Sequence, residues 1–448
     1  VKIISTWQNS MKSSKSRYSK VLCFMIVSLI TFSAQSMATQ TIFELYENIT
    51  PGAIQAGPSN YAIFNGELFF EAANAADNDE PFRFNGTTVS QITNASPLPG
   101  DDSNLTSQFV FNGNLYAVME SNVGRELYQY NTGNQQYEIH TNLNGNGDGF
   151  PRPQTDINGD VIIYNGHLLM EADPDGNGDR FYLLRSDNNT LQLLAGTTKI
   201  DPSNVALFGG ELFYEADDGA GNDEPFRFNG TTETQITNAS PLAGDDSNLT
   251  SQFVFNGNLY AVMESNVGRE LYQYNTGNQQ YEIHTNLNGA SDGYPIMAGD
   301  INGDMIIYNG HLLMHANQTG SDRRFYLLRS DNNTLQLLAG TNRIDPSNVA
   351  LFGGNLYYEA DDGAGNDEPF RFNGTTETQI TNNEAPVGDD SNLTSQFPYL
   401  GDLYAVMESN NGRELYKYNT GTNVYERMID LNGAGDSYPI HAKDINGT

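Results

Sequence analysis

Thiol chemistry is almost missing from this sequence: one cysteine, Cys23, occurs in 448 residues. Beyond the N-terminal segment there is neither a sulfur nucleophile nor a cysteine pair to bridge. Tryptophan is as scarce, with Trp7 the only one. Basic residues are few. The chain has 22 Lys and Arg against 55 Asp and Glu, a formal net charge of −33. Residues 1–38 hold five of the bases and no acid, so the remainder carries −38. A surface of that sign repels polyphosphates and anionic lipid, which argues against nucleic acid and membrane surfaces as partners. It suits a salty exterior or bound divalent cations. The six histidines form no HExxH motif or paired zinc spacing.

The main apolar run, residues 21–32, is too short for a comfortable membrane span. Lys12, Lys15, Arg17 and Lys20 precede it, and Ser36 and Ala38 flank Met37 after it. A basic start, a short apolar stretch and a small-residue site describe a secretory signal peptide over residues 1–38, cleaved after Ala38. The expected location is secreted, periplasmic or cell-surface, with no membrane insertion after cleavage.

What is present is repetition. Tyr and Phe number 25 and 23, broken up by 44 Gly and many Asn, Asp and Thr. That mixture favours short strands and tight turns. Residues 62–94 return at 206–238 and again at 350–382, a spacing of 144. The stretch beginning DDSNLTSQFVFNGNLY at Asp101 recurs unchanged at Asp245 and drifted at Asp389. DINGDVIIYNGHLLM at Asp156 recurs as DINGDMIIYNGHLLM at Asp300. Each 144-residue block therefore divides into three related units of about 48 residues.

All three unit types share one skeleton: strand, Asn-Gly or Gly-Gly, strand, polar loop, strand, turn, strand. In the second type the strands are expected at 251–255, 258–265, 270–275 and 281–286, with Asn256-Gly257 as a hairpin turn. Four antiparallel strands in this length make one propeller blade. The runs 161–164 and 167–170 are apolar on nearly every position, as strands covered on both faces would be. TLQLL at 190–194 is more mixed, as an outermost strand should be. The expected fold is all-β, a seven- or eight-bladed β-propeller, with an open stack of blades as the alternative. Eight units fill residues 61–432. Residues 39–60 hold an orphan fourth strand, IFELYENI at 42–49, and a linker. Residues 433–448 begin a further unit that is incomplete within this sequence.

The third strands and their turns read DEPFRFNGT (223–231, 367–375) and RELYQYNTG (125–133, 269–277). The preceding strands read NGELFFEA (65–72) and GGNLYYEA (353–360), and linkers read ENITPGAIQAGPSN (47–60) and IDLNGAGDSYP (429–439). This resembles the bacterial ELWxxDGT-repeat proteins, which are similar to hyalin-type repeats. The likeness covers nearly all of the chain beyond the leader. It departs in one respect: Phe or Tyr stands where that family has Trp. The resemblance implies a secreted or surface propeller-like protein and no particular enzyme reaction.

Candidate chemistry lies first in Asp-rich loops. Asp173, Asp175, Asn177 and Asp179 sit in ADPDGNGD. Asp217, Asp218, Asn222 and Asp223 sit in ADDGAGND, repeated as Asp361, Asp362, Asn366 and Asp367. Alternating carboxylates and amides with glycine offer the hard oxygen donors calcium prefers, and they are also ordinary turn formers. The equivalent loop at 73–79 is poorer in acids. DINGD at Asp156 and Asp300 opens like an EF-hand loop, but its twelfth position is His167 or His311, so it reads as a turn. Arg125, Arg269 and Arg413 precede Glu-Leu-Tyr and are placed to lock a loop against an acid.

Repeated acids suit structure better than a single catalytic centre. His315, which replaces Glu171, and the Arg323-Arg324 pair are the main asymmetric positions. The expected function is a non-enzymatic binding or adhesion scaffold for extracellular protein or glycan partners, with calcium assistance. The rival is a polysaccharide-acting enzyme with one site in the propeller channel.

Overall fold

The computed structural model describes residues 57–92, 102–145, 147–236, 247–266, 268–289, 291–318, 322–382, 391–409, 412–429 and 439. The expected leader and the orphan strand at 42–49 lie outside the described residues, as does the further unit at 433–448 apart from Pro439. Every regular element among the described residues is a β-strand, and the strands form eight antiparallel meanders in sequence order. These are blades 1 to 8, at residues 59–91, 107–141, 152–193, 203–235, 251–285, 296–337, 347–379 and 395–429. They coincide with the eight units read from the repeat. Thr381–Asn382 adds a short parallel strand beside the outermost strand of blade 8.

The hairpins follow from Asn-Gly. Asn256 and Gly257 both take positive φ, 49° and 77°. That turn matches the twist of the strands it joins, Ser251–Phe255 and Asn258–Met263, and puts Phe255 opposite Asn258. Gly268 is required for a second reason. A side-chain carbon there would lie 2.6 Å from the Ser291 carbonyl carbon, because the loop after the fourth strand folds over it.

Burial differs by strand. The second strand is buried on both faces, as in His167–Ala172, where every residue after His167 is buried. The outermost strand, Leu191–Leu193, is exposed or half-exposed. The innermost strand corrects the sequence expectation. Only Ile163–Tyr164 of the run 161–164 pairs as a strand, and Ile163 is 41% exposed. The chain leaves the ladder at Thr155, returns at Val161, and there turns one side toward the axis rather than toward a neighbouring blade.

Consecutive blades are held by seven apolar clusters. First-type blades meet second-type blades through perpendicular aromatic pairs: Phe69 with Tyr130, Phe213 with Tyr274 and Tyr357 with Tyr418, centroids 4.9, 4.8 and 5.0 Å apart. Third-type blades meet first-type blades through Phe181 with Tyr214 and Phe325 with Tyr358, at 4.9 and 4.8 Å. Second-type blades meet third-type blades through aliphatic contacts such as Val118 and Leu127 against Leu168 and Met170. Each fully buried Leu or Phe contributes about 1.5–3 kcal/mol, so the stack is held by many equal steps. The slots that the resembled family fills with Trp are occupied by Tyr128 and Phe226, both buried. The outward faces of blade 1 (Phe70, Ala72, Phe82, Phe84) and blade 8 (Tyr404, Val406, Leu415) form separate clusters. Among the described residues no cluster joins blade 8 to blade 1.

One polar device recurs at each junction of first and second types. Glu215 accepts hydrogen bonds from the Leu249 amide (2.7 Å) and from Ser203 and Asn204 (3.1 and 3.0 Å). Asn204, at φ 50°, also donates to the Leu249 carbonyl at 2.6 Å. Glu71 and Glu359 repeat this arrangement. Burial pushes all three carboxyl pKa values up, against the opposing effect of these hydrogen bonds. A carboxyl raised in the folded state contributes stability that is complete below its ordinary pKa and is lost as pH rises through the folded value. Relative to Glu215→Gln, the wild-type protein is therefore expected to lose stability across the range above the ordinary glutamate pKa of 4.5. Paired thermal melts across that range test this, and a pH-independent difference would refute it.

Candidate functional site

Among the described residues, blades 3 and 6 meet through their DINGD segments. In blade 3 the innermost strand is interrupted by the DINGD segment, which closes on itself. The Asp156 amide donates to the Asp160 carbonyl at 2.8 Å, and Asp156 Oδ1 accepts the amides of Asn158 and Asp160 at 2.8 and 3.2 Å. Gly159 takes φ 81°. Burial raises the Asp156 pKa. Blade 6 builds the same bulge on Asp300, with the equivalent bonds at 2.8 and 3.1 Å. The two bulges touch: the Met305 amide donates to Asn158 Oδ1 at 3.1 Å. Ile157 packs with Met297 and Met305 beside the core shared by blades 5 and 6. DINGD is thus a turn, as expected, but one that reaches across the axis.

Around this plug lie cavities of ≈ 360 and ≈ 210 Å³. The larger is lined by Arg152, Asp156, Glu171, Asn204 and Gln252, among others. A volume of this order admits a small ligand, but much of its polar lining is already engaged. Gln252 donates to the Asn204 carbonyl at 2.8 Å and accepts from the Tyr281 hydroxyl. Glu171, with its side chain 4% exposed, is paired to Arg152, which also reaches Asp179 at 2.9 Å.

Blade 6 replaces that triad as a set: Ile296, His315 and Arg323 stand where blade 3 has Arg152, Glu171 and Asp179. Ile296 lies opposite His315, as Arg152 lies opposite Glu171. His315 is 8% exposed, its ring edge-on to Phe325 at 5.2 Å, and its buried Nε2 has no hydrogen-bond partner. Burial, with Arg323 adding to it, holds its pKa down at about 4. Sequence reading marked His315 and Arg323 as asymmetric but missed that Ile296 changes with them. The shared spacing of 144 residues is the signal that would have found it.

The Asp-rich loops use their carboxylates locally. Asp173 Oδ1 accepts the amides of Asp175, Gly176 and Asn177, the shortest at 2.7 Å. Asp175 pairs with Arg180 at 3.3 Å, and Asp179 with Arg152. Asp217 Oδ1 accepts the Gly219 amide at 2.5 Å, and Asp218 Oδ1 the Ala220 amide at 2.6 Å. Asp361 and Asp362 repeat both bonds at the same lengths. Asn222 and Asn366 donate to Asp218 and Asp362, while Asp223 and Asp367 open the next strands. Asn177 donates to the Asp175 carbonyl. Among the described residues no three His, Cys, Asp or Glu side chains gather to metal-binding distance.

The remaining candidates make contacts within and between blades. Arg125, Arg269 and Arg413 pair with Glu120, Glu264 and Glu408 at 3.1, 3.1 and 3.3 Å. Arg125 and Arg269 also cover Phe150 and Tyr294. His140 and His284 contact the carbonyls of Asn189 and Asn333 in the next blade at 2.9 Å. His167 and His311 meet Ser186 and Ser330.

No family model matches the chain, and no curated protein matches it. Solved structures match the chain only at a distance. A puromycin-hydrolyzing peptidase of Mycobacterium tuberculosis is 11% identical with a TM-score of 0.39, over 81% of this chain and 60% of that one. Dipeptidyl peptidase 4 of Porphyromonas gingivalis is 14% identical with a TM-score of 0.41, over 85% and 54%. The propeller domain of the Trilobed protease of Pyrococcus furiosus, described as having an open velcro topology, is 8% identical with a TM-score of 0.37, over 84% and 99%. The chain thus spans about 60% of the length of the first of these peptidases.

The correlated triad gives a direct test. Arg152→Ile alone leaves Glu171 buried without its guanidinium, and is expected to cost about 1–3 kcal/mol. Adding Glu171→His, which recreates the blade 6 pair, is expected to recover most of the loss. Chemical denaturation of the two single variants and the double variant measures the coupling. Additive losses would show that the two positions are independent.

Proposed function

We propose that this protein is a non-enzymatic binding or adhesion scaffold that works outside the cytoplasm, secreted, periplasmic or on the cell surface. Its partners are extracellular proteins or glycans. The observation that carries this reading is the repetition of one exposed loop in one geometry. The loops at 217–223 and 361–367 have the same sequence and the same internal hydrogen bonds. Identical loops on a rigid frame suit multivalent contact, in which modest individual affinities combine. The leader-like first 38 residues and the resemblance to ELWxxDGT-repeat proteins support the location.

An enzyme site in the channel has less support. The DINGD bulges meet at the axis, the cavity beside them is lined by mutually bonded groups, and the asymmetric His315 is buried against Phe325. Calcium enters the proposal in one form. The loop carboxylates do not converge into a cage, so a cation would bridge a loop to hydroxyls or acids of the partner, with Asp218 and Asp362 as its protein ligands.

Glycan arrays and cell-adhesion assays, run with calcium and with chelator, test the reading. Binding is expected in calcium and is expected to weaken in chelator, while the melting temperature stays unchanged. Asp218→Ala with Asp362→Ala is expected to lower apparent affinity by about 10²-fold, more than either single change. Absence of binding in both conditions, or turnover of a polysaccharide substrate, would overturn it.

A further inference from the structure

Repetition separates the frame from its exceptions: what the copies share builds the blades, and what one copy alone carries needs a reason of its own. Eleven residues of blades 3, 4 and 5 and their connections line the ≈ 360 Å³ cavity. Seven of them recur unchanged 144 residues later. The other four are Arg152, Gln154, Thr155 and Glu171, and blade 6 has Ile296, Ala298, Gly299 and His315 in their places. General drift does not explain this, since across residues 156–172 the two copies differ only at positions 161 and 171. Of these two third-type blades, only blade 3 carries a guanidinium, an amide, a hydroxyl and a carboxylate on this wall.

Part of the set holds itself in place. Glu171 pairs with Arg152 Nε, and Asp179 takes Arg152 Nη2 at 2.9 Å. Arg152 Nη1 is left unengaged, on a side chain that is 59% exposed at the edge of the cavity. Gln154 is only 9% exposed. Its backbone is paired with Leu169 and Ile162, but no described residue bonds its side-chain amide, which lines the cavity. A buried amide without a partner is a cost to the fold that a ligand can relieve. The Thr155 hydroxyl is likewise without a partner among the described residues. Asp156 offers Oδ2, whose contact is the Asn158 side-chain amide at 3.4 Å.

We propose that this cavity binds a single neutral sugar residue. Charge and donor chemistry decide against the alternatives. An anion would meet the carboxylates of Asp156, Glu171 and Asp179 against one guanidinium, on a chain of net charge −33. An ammonium only donates, so it would leave the Gln154 and Arg152 N–H groups facing another donor. No aromatic side chain lines the space to cage a methylated one. Among the described residues no three His, Cys, Asp or Glu side chains gather for a metal ion. The open groups are a mixture: guanidinium N–H, amide N–H and carbonyl, a hydroxyl and a carboxylate oxygen. Sugar hydroxyls both donate and accept, which matches that mixture. The C–H face of the ring meets Pro202 and Val205. The volume lies at the small end of ligand pockets, which suits one residue rather than a chain. This site is separate from the loops at 217–223 and 361–367 and does not depend on them.

Saturation-transfer NMR on the full chain tests this, with methyl glucoside, methyl galactoside, methyl mannoside and N-acetylglucosamine as probes and with glucuronate and ethanolamine as charged comparisons. At least one neutral sugar is expected to bind, and neither charged compound. Gln154→Ala with Thr155→Gly, the residues that blade 6 has, is expected to weaken binding about tenfold in a protein that stays folded by circular dichroism. If that variant does not fold, Gln154→Met, which keeps the volume and removes the amide, serves instead. Chelator, or Asp218→Ala with Asp362→Ala, is expected to leave the signal unchanged, so this site and the loops fail separately. No binding by any of the four sugars overturns the proposal, as does binding that survives loss of the Gln154 amide or that favours glucuronate or ethanolamine.

Discussion

A β-sheet that is apolar on both faces must be covered twice, and this constraint shapes the whole molecule. The second and third strands of every blade carry buried residues on both sides, so no blade is stable without two neighbours. Stability is then a sum over interfaces. The aromatic pairs at first–second and third–first junctions are near-copies of one another, with centroids within 0.2 Å of the same separation. The polar Glu–Asn–Leu device sits only at first–second junctions, where it fixes which face meets which. A buried carboxylate that must find one amide and one asparagine tolerates little sliding of blade on blade.

Much of this was legible in the sequence because its signals are local. Asn256-Gly257 fixes a hairpin by its own backbone preference, and the 144-residue spacing marks out the units that the described sheets follow. The doubly apolar HLLMEA strand announces its two neighbours. The innermost strand was misread for an equally physical reason. Ile162 and Ile163 look alike in a hydrophobic pattern, yet Ile162 is buried and Ile163 is 41% exposed and lines a cavity. The contact of Asn158 with Met305 spans 147 residues, and no local pattern encodes it. The Asp-rich loops were ambiguous in principle, since one composition serves both turns and cations. The hydrogen bonds of Asp173 and Asp218 to their own loops show the turn role.

The acidity of the chain is distributed by the same logic. Acids on the outer loops are solvated or held by their own backbone amides. The few arginines are spent on loop locks such as Arg125 with Glu120. Inside, carboxyls are kept where a donor receives them, as at Glu126, which accepts the Leu143 amide at 3.0 Å, and at Glu171, which pairs with Arg152. A strongly negative molecule can thus keep an apolar interior without burying repulsion.

Near-identical modules create a hazard of mistaken identity during folding. Residues 101–145 and 245–289 are the same sequence, so a strand from one block could pair with its double in the other. The Arg152–Glu171 and Ile296–His315 pairs act as an address. If the first strand of blade 3 were exchanged for that of blade 6, Arg152 would face His315 and Glu171 would face Ile296, burying a carboxylate with no partner. Two copies that differ at matched positions can each recognise only their own strand, so a small divergence keeps a repetitive chain in register.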